Sequence, residues 1–467
     1  MKVRRSSTVL KSDQSRVLLQ YFGVGNDRRI QNVISRIEKL SDQEAASLVS
    51  EIRSGFSKRH TNFENRVAAN YGMMKHHISK EIKLSDDKIF LLGAYFSKEY
   101  SIEAAALFNA SIVPDPVLGS EGKFVMSLRS TGEGHISSIE FREGQIDSEG
   151  NVSLSETSRF VSTGKISAPD KWKKKDVIAI SKYCSGVTEN DFDGMQDEFT
   201  LEEFKQIFKL SLPTKMDLVS SYLESFYTIE FSGNEPLSER ILFPYSSSES
   251  AGMEDVRWVR FINDDKSVVY YGTYTAYNGK TFRSQLLETK DFKKFAVSPM
   301  YGEMIKDKGM AIFPRKVNGK YVITSRLDGE NLYIMESDDI RVWEKAKKIF
   351  EPELFWEFVQ LGNCGSPIET KDGWLLVTHS VGAFRKYVIS IYLLDLNDPS
   401  KIIGRLNNPL ISPNEDEREG YVPNVVYSCG SMVHNGNLVI PYAMSDSRTS
   451  FATVSVDELL QQIKSEK

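Results

Sequence analysis

Short β-hairpins recur along the C-terminal part of the chain and constrain its fold more than any other feature. Runs such as KVNGKYVITSR, KDGWLLVTHS and HNGNLVIPYA place apolar residues on both sides of an Asn-Gly or Asp-Gly dipeptide. Such dipeptides favour type I′ turns, because Asn, Asp and Gly tolerate positive φ. ETKDFKKF at residue 288 and ESDDIRVW at residue 336 lie 48 residues apart. This spacing is typical of four-stranded propeller blades of ~40–50 residues.

A β-sandwich is the alternative architecture, since it is also built from short hairpins. A chain with this many hairpins has to protect the edges of its sheets, and radial closure leaves only short edges. We therefore predict a mainly β fold of the propeller type.

The N-terminal part has a different pattern, which predicts helices. From about Val17 to Leu92 the apolar residues are spaced three and four apart, as in VISRIEKLSDQEAASLVSEIRSGF, and Ser41 with Glu44 resembles a capping box. We predict an N-terminal helical arm at 1–98 and a β domain at 99–460. LEEFKQIFKL, which follows the capping residue Thr200, indicates a helical insertion at about 170–215.

Charge and composition argue against several classes of partner. The formal net charge is −5, and no long run of basic residues indicates a nucleic-acid or membrane surface. The N-terminus MKVRRSSTVLKSDQSRVLLQYFG lacks the apolar core of a signal peptide, so we expect a cytoplasmic protein. Three cysteines and six histidines show no metal-binding spacing, so we expect neither a metal nor a cofactor.

Polar clusters beside the predicted turns carry a resemblance to a known family. GNCGSPIE is followed by GWLL, then LLDLNDPSKIIGR, and then EREGYVPNVV. In this order the motifs resemble glycoside hydrolase family 130, whose members cleave β-mannosides by hydrolysis or phosphorolysis. The resemblance covers roughly residues 100–455. It implies a five-bladed β-propeller that carries the N-terminal helical extension and the helical insertion.

The resemblance implies that Asp255, in Glu254-Asp255-Val256-Arg257, is the general acid. In the family this acid is thought to relay its proton through a sugar hydroxyl. An acid must be protonated near neutral pH to act, and we expect burial or the neighbouring Glu254 to raise its pKa. A strand-end ion pair between Asp255 and Arg257 is the purely structural alternative.

The nucleophile decides the reaction class. Water needs a second carboxylate, and the candidates are Glu357 in FWEFVQ and Glu417 in DEREG. Phosphate, a co-substrate rather than a cofactor, needs cations instead. The candidates that fall on segments resembling the family's anion-binding strands are Arg283, Lys308, Arg315, His379 and Arg385.

Two features bear on this choice. The aliphatic Leu375 and Leu376 stand where hydrolytic relatives are associated with an additional acid, which favours phosphorolysis. The long arm and Val256, in place of the family's proline, set the chain apart from the better-known phosphorylases. Our first expectation is hydrolysis of the β-1,2-mannosidase type, and phosphorolysis of β-1,2- or β-1,4-mannosides to mannose 1-phosphate is the alternative.

The resemblance implies an oligosaccharide partner, and mixed amide, guanidinium and aromatic side chains suit a sugar. The sugar contacts that the resemblance implies are Asn109, Arg129, Arg257, Tyr277, Asn363, Tyr421 and Asn424. The helical arm offers a surface for a homo-oligomer. A propeller that binds carbohydrate without cleaving it is the alternative from another functional class.

Overall fold

The computed structural model describes residues 1–117, 121–184, 187–208 and 213–466. The chain divides into two units. The sheet unit comprises Met1–Ser12, Ala105–Thr157 and Thr163–Lys467, and the helical unit comprises Asp13–Ala104 and Ser158–Ser162. The predicted domain limits at residues 98 and 99 stay a prediction; in the structure, Met1–Ser12 group with the sheet unit.

The helical unit confirms the predicted N-terminal helices. They are Asp27–Glu38, Asp42–Phe56, Phe63–Met74 and Asp86–Tyr95. Ser41 and Glu44 form the predicted capping box, in which each side chain accepts from the other residue's backbone N–H. The helical prediction was wrong for Val17–Tyr21, which pairs with Ser97–Ser101 in a two-stranded sheet. Strand pairing satisfies the backbone of this short segment, which is too short for a stable helix.

Five antiparallel meanders form the sheet unit, and each contains four consecutive strand positions. We number them meanders 1 to 5 along the chain. Meander 1 contains the strands Ala106–Pro114, Lys123–Thr131, Ser137–Ile146 and Val152–Leu154, and meander 2 contains Gly252–Ile262, Val268–Tyr277, Phe282–Thr289 and Lys294–Pro299. Meander 3 contains Ala311–Ile312, Tyr321–Ser325, Leu332–Ser337 and Ala346–Phe350, and meander 4 contains Gln360–Asn363 with Ile368–Thr370, then Gly373–Val381, Tyr387–Leu394 and Ile402–Arg405. Meander 5 contains Val426–Tyr427 with Met432–His434, then Asn437–Met444, Arg448–Ser455 and Arg4–Arg5.

The prediction of a mainly β fold is confirmed. A single parallel pair, Gly252 with Ser137, joins meanders 1 and 2 into one twelve-stranded sheet. The remaining strands are Lys165–Ser167 and Tyr227–Glu230 at the edge of meander 2, Ser162–Thr163 and Arg240–Leu242 beside meander 1, and the pair Trp172–Lys173 and Glu198–Phe199. In meander 5 the fourth strand comes from the N-terminus of the chain, where Arg4 pairs with Thr453.

Each pair of consecutive meanders shares a hydrophobic core. Trp258 of meander 2 packs in one core with meander 1, whereas the next residue, Val259, packs in a core with meander 3. In meander 4, Trp374 packs in a core with meander 3, and the next residue, Leu375, packs in a core with meander 5. A fifth core joins meander 5 back to meander 1. Successive side chains of a strand point to opposite faces, so each sheet packs on two neighbours.

The predicted Asn-Gly turns are confirmed, and the Asp-Gly turn differs. Asn318-Gly319 and Asn435-Gly436 have positive φ at both positions, as a type I′ turn requires. At Asp372-Gly373 only the glycine has positive φ. Thr370 pairs with Gly373, so the glycine already belongs to the strand and Lys371 with Asp372 forms the turn.

The predicted insertion contains the helices Lys174–Ser181, Leu201–Phe208 and Pro213–Glu224, and the chain's last helix is Val456–Ser465. Residues 185–186 and 209–212 of the insertion lie outside the described residues. Among the helices of the described ranges, none combines the length and the apolar character needed to cross a membrane.

Candidate active site

A cavity of about 180 Å³ in the sheet unit gathers polar and charged residues from distant parts of the chain. Six of its lining residues are predicted site residues: Asn109, Arg129, Asp255, Arg257, Lys308 and Arg385. Six others are new: Arg326, Gln360, Tyr387, Val425, Tyr427 and Asp446. The cavity therefore brings together residues that lie more than three hundred positions apart in the sequence, from Asn109 to Asp446.

Most of the lining residues come from two recurring places in the meanders. The first strand of each meander, or the segment just before it, supplies one group: Asn109, Asp255, Lys308, Gln360 and Tyr427. The turn of the central hairpin supplies Arg326 in meander 3, Arg385 in meander 4 and Asp446 in meander 5. All five meanders thus contribute to one site.

Two β-bulges aim Asn109 and Asp255 at each other. The strand register shifts between Phe108 and Ser111 in meander 1, and between Glu254 and Arg257 in meander 2. Asn109 has a φ of 52° and Asp255 a φ of 56°. Non-glycine residues seldom adopt these left-handed values, and they cluster at functional sites. The bulges let both side chains leave the sheet face and meet, with Asn109 Nδ2 donating to Asp255 Oδ1 at 2.7 Å.

Asp255 is buried among cations. Arg129 donates from Nη1 to its carboxylate at 3.3 Å and from Nη2 to Glu254 at 2.7 Å. Burial raises the pKa of Asp255, but Arg129, Lys308 and Arg257 outweigh burial and hold the pKa at about 2. The expectation that this pKa is raised was therefore wrong. The same cations that would attract an anion keep Asp255 ionised.

Two neighbouring carboxyl groups retain protons more readily than Asp255. Burial raises the pKa of Glu254, and the negative charge of Asp255 raises it further. The positive charge of Arg129 lowers this pKa but does not outweigh burial. Burial and the charge of Asp255 also raise the pKa of Asp446, to about 6. Asp446 is therefore the lining carboxyl that changes charge near neutral pH.

His379 lies behind the cavity and holds two of its lining side chains. Its Nδ1 donates to the backbone carbonyl of Asn363 at 3.2 Å, so its Nε2 accepts from Arg326 at 3.2 Å and from Gln360 at 3.0 Å. Burial, with the charges of Arg326 and Arg257, lowers the pKa of His379 well below its usual range. A neutral imidazole in this position orients Arg326 rather than adding a charge of its own.

Two further predicted cations lie outside the lining of this cavity. Arg283 donates to Ser221 at 3.0 Å and lies over the ring of Tyr222, in the helical insertion. Arg315 forms two hydrogen bonds with Glu369, at 2.8 and 2.6 Å, and stacks on Trp374. Each guanidinium already has a partner in the surrounding structure.

Glu357 and Glu417, the predicted carboxylates for hydrolysis, are buried and also lie outside the cavity lining. Glu357 accepts from the backbone N–H groups of Glu353 and Leu354, both at 2.8 Å, and from the hydroxyl of Tyr392 at 3.0 Å. Glu417 accepts from Arg5 at 3.0 Å and from the hydroxyl of Tyr442 at 2.6 Å. Their hydrogen bonds anchor loops.

The remaining predicted sugar contacts do not line the cavity. Asn363 is buried, and both polar atoms of its side chain have no hydrogen-bond partner among the described residues. Asn424 accepts from Arg418 at 3.1 Å, and its carbonyl accepts from Tyr387 N–H. Tyr421 is exposed beside His135, whereas Tyr277 is the last residue of its strand.

Sequence reasoning missed the hairpin-turn residues Arg326 and Asp446. Each follows the second strand of its meander, in SRLDG and MSDSR, and lies in the central hairpin turn, as Arg385 does in meander 4. An alignment of the central hairpins against one another is the signal that identifies them. In the part of the chain that the structure describes, no group of three or more His, Cys, Asp or Glu side chains is placed to hold a metal ion.

Comparisons with known proteins place the chain in a family. A sequence profile described as beta-1,4-mannooligosaccharide phosphorylase, of glycoside hydrolase family 130, matches residues 229–465. A 1,2-beta-oligomannan phosphorylase from Thermoanaerobacter sp. is 33% identical over 231 residues, which cover 48% of this chain and 75% of that protein. A beta-1,2-mannobiose phosphorylase from Listeria innocua is 28% identical, over 48% of this chain and 64% of that protein.

A solved structure of the beta-1,2-mannobiose phosphorylase from Listeria innocua, in complex with beta-1,2-mannobiose, is also similar. It has a TM-score of 0.49 and 18% identity, and the match covers 78% of this chain and 93% of that one. The family profile spans half of this chain, including meanders 2 to 5 except for the strand Arg4–Arg5. The prediction of an enzyme that acts on β-mannosides is confirmed at the level of the family. The chain belongs to glycoside hydrolase family 130.

Proposed function

We propose that this protein is a β-mannoside phosphorylase, in which inorganic phosphate attacks a mannosyl residue held beside Asp255. One observation carries the proposal: five cationic side chains converge with Asp255 on one small cavity. They are Arg129, Arg257, Lys308, Arg326 and Arg385. The described lining carboxylates are two, Asp255 and Asp446. Guanidinium and ammonium groups bind phosphate oxygens through charge-assisted hydrogen bonds, so this excess of positive charge suits an anionic nucleophile.

Hydrolysis, our first expectation, has less support than phosphorolysis. An inverting hydrolase needs a carboxylate that activates water opposite the acid. The two carboxylates predicted for that role, Glu357 and Glu417, have their oxygens occupied by backbone N–H groups, tyrosine hydroxyls or Arg5. The named relatives are also phosphorylases. Phosphate brings its own nucleophilic oxygen and needs no base.

In this proposal Asp255 acquires its proton when phosphate binds. Arg129, Lys308 and Arg257 hold its pKa at about 2 in the absence of an anion. A phosphate bound between Lys308 and Arg257 offsets their charge, and its own negative charge disfavours a second ionised group nearby. Both effects raise the pKa of Asp255. In this proposal Asp255 is therefore protonated only when phosphate is bound.

The bond changes balance as follows. A phosphate oxygen forms a bond to the anomeric carbon, and the bond from that carbon to the glycosidic oxygen breaks. The leaving oxygen takes the proton of Asp255, directly or through a sugar hydroxyl. The products are mannose 1-phosphate and the remaining sugar, and Asp255 leaves the step ionised. Arg129 and Asn109 then stabilise its restored charge.

We also propose that the five meanders form a five-bladed propeller around this cavity. The five cores support the arrangement, since each is shared by two consecutive meanders and the last joins meander 5 to meander 1. The contribution of every meander to one cavity supports it further. The N-terminal strand Arg4–Arg5 completes the last blade in this arrangement.

The experiment is a product analysis. The purified chain is incubated with β-1,2- and β-1,4-mannobiose, with and without inorganic phosphate, and the products are separated by anion-exchange chromatography. We expect mannose 1-phosphate that appears only with phosphate. Free mannose formed at the same rate without phosphate would overturn the proposal in favour of hydrolysis.

A further inference from the structure

Two hairpin turns of the sheet unit adopt the same backbone conformation with different residues. In Gly132–Ile136 and in Gly382–Lys386 an extended glycine is followed by a short turn, and its N–H bonds the carbonyl four residues later at 3.0 Å. The third and fourth residues of both turns have positive φ. The third residue is Gly134 in the first turn and Phe384 in the second.

Phenylalanine is energetically unfavourable at position 384. A φ of 58° suits glycine, whereas a bulky side chain adopts it only under strain. Packing of the side chain does not offset this strain, because the ring is 96% exposed. Strain without burial is found where a side chain serves a ligand rather than the fold.

The exposed ring belongs to a residue that adjoins the cavity lining in the sequence. Arg385, the next residue in the chain, lines the cavity. A second segment beside the turn leads to the lining residue Gln360 and exposes two more phenylalanines, Phe355 at 76% and Phe358 at 62%. The segments adjoin, since Val359 N–H donates to the carbonyl of Val381 at 3.0 Å. We call Phe355, Phe358 and Phe384 the aromatic rim.

The size of the cavity identifies what the rim contacts. Its volume of about 180 Å³ is below the roughly 300–1,000 Å³ of sites that enclose a whole small ligand. The mannosyl group that is transferred and the phosphate fill such a space. The sugars that follow the cleaved bond therefore leave the cavity, and pyranose rings present apolar C–H faces that suit aromatic side chains.

We infer that the aromatic rim, and Phe384 above all, binds the sugar units beyond the cleaved bond, so that the enzyme prefers oligosaccharides of three or more units to disaccharides. The inference rests on the proposed function. It assigns Phe384 a specificity-determining role and leaves the bond chemistry to the cavity.

The test compares chain lengths. The kcat/KM of phosphorolysis is measured with a β-mannobiose and the mannotetraose of the same linkage, for the natural protein, Phe384→Ala and Phe384→Gly. Phe384→Gly preserves the turn, because Gly134 adopts the same conformation. The matched control is Ile262→Ala, an exposed apolar side chain at the far end of the strand that carries Asp255.

We expect the ratio of tetraose to biose kcat/KM to fall about fivefold or more in both Phe384 variants, as for truncation of a contact that matters to binding. The ratio stays unchanged in Ile262→Ala. An unchanged ratio in both Phe384 variants overturns the inference. An unchanged ratio accompanied by a loss of self-association in sedimentation would assign the ring to a contact between copies instead.

Binding measurements separate this inference from the proposed function. Asp255→Asn and the double variant Asp255→Asn with Phe384→Gly are titrated with the mannotetraose by calorimetry, which needs no turnover. A weaker Kd in the double variant supports the rim even if the natural protein makes no mannose 1-phosphate. Equal Kd values count against the rim whatever the reaction is.

Discussion

The structure contains two kinds of buried carboxylate with different surroundings. Asp255 is of the first kind, and Glu357 and Glu417 are of the second. Asp255 lies on a strained bulge and accepts hydrogen bonds from side chains of two other strands, Asn109 and Arg129. Glu357 accepts from two backbone N–H groups of its own loop. Backbone partners a few residues away indicate a carboxylate that shapes a loop. Side-chain partners from distant strands beside a cavity indicate a carboxylate available for chemistry.

The same comparison holds for the cations. Arg315 lies in a two-bond ion pair with Glu369 on the surface, whereas Lys308 approaches Glu254 only to 3.9 Å and lines the cavity. A cation already paired in ideal geometry has little left for an anion. The partners of a charged group therefore decide its function as much as its type does.

The largest expected effect comes from Asp255→Asn. An amide cannot donate the proton that the leaving oxygen needs, so we expect kcat to fall about 10²–10⁴-fold. The release of mannose 1-phosphate measures the loss, and circular dichroism checks the fold. Glu417→Gln is the matched control, with kcat within about threefold of the natural protein. A decrease in kcat of less than tenfold in Asp255→Asn would contradict the distinction between Asp255 and Glu417.

Glu357→Ala should affect stability instead. Removal of this carboxylate leaves two backbone N–H groups and the Tyr392 hydroxyl without their partner, which costs about 3 kcal/mol of unfolding free energy. Urea unfolding followed by tryptophan fluorescence measures the change. The folded variant should keep its kcat at 20 °C. A large loss of kcat without a loss of stability would place Glu357 in the chemistry after all.

Lys308→Ala sharpens the comparison of the cations. We expect the KM for phosphate to rise about tenfold to thirtyfold, because one charge of the anion site is lost. The KM for the mannoside should change less. Initial rates at varied phosphate provide the measurement, and Arg315→Ala, whose charge pairs with Glu369, should stay within about twofold. Equal effects of the two variants would contradict the assignment of the anion site.

The smallest expected effect is on pH dependence. The pKa of Asp446 is raised to about 6, so this group is neutral below that pH and negatively charged above it. Its negative charge opposes an entering anion, so kcat/KM for phosphate should fall as the pH rises from 5.5 to 7. In Asp446→Asn the fall should be about fivefold smaller. The phosphate itself titrates equally in both proteins, so identical profiles would exclude this role for Asp446.

Local sequence patterns predicted much of the fold and part of the site. Alternation and Asn-Gly turns identified the hairpins, and the Ser41–Glu44 box identified a helix start, because these signals act over a few residues. The motif that contains Asp255 predicted the carboxylate that we propose as the acid. The ionised state of that acid was not predictable, since the guanidinium of Arg129 reaches it from another strand.

The amino-acid sequence by itself determined the elements, the family and the carboxylate at position 255. The tertiary structure alone decided which charges share a cavity, because turns of three separate meanders bring Arg326, Arg385 and Asp446 to one place. It also decided that Glu357 and Glu417 serve loops. Pairing between distant groups depends on distances of a few ångströms, and a linear pattern does not contain those distances.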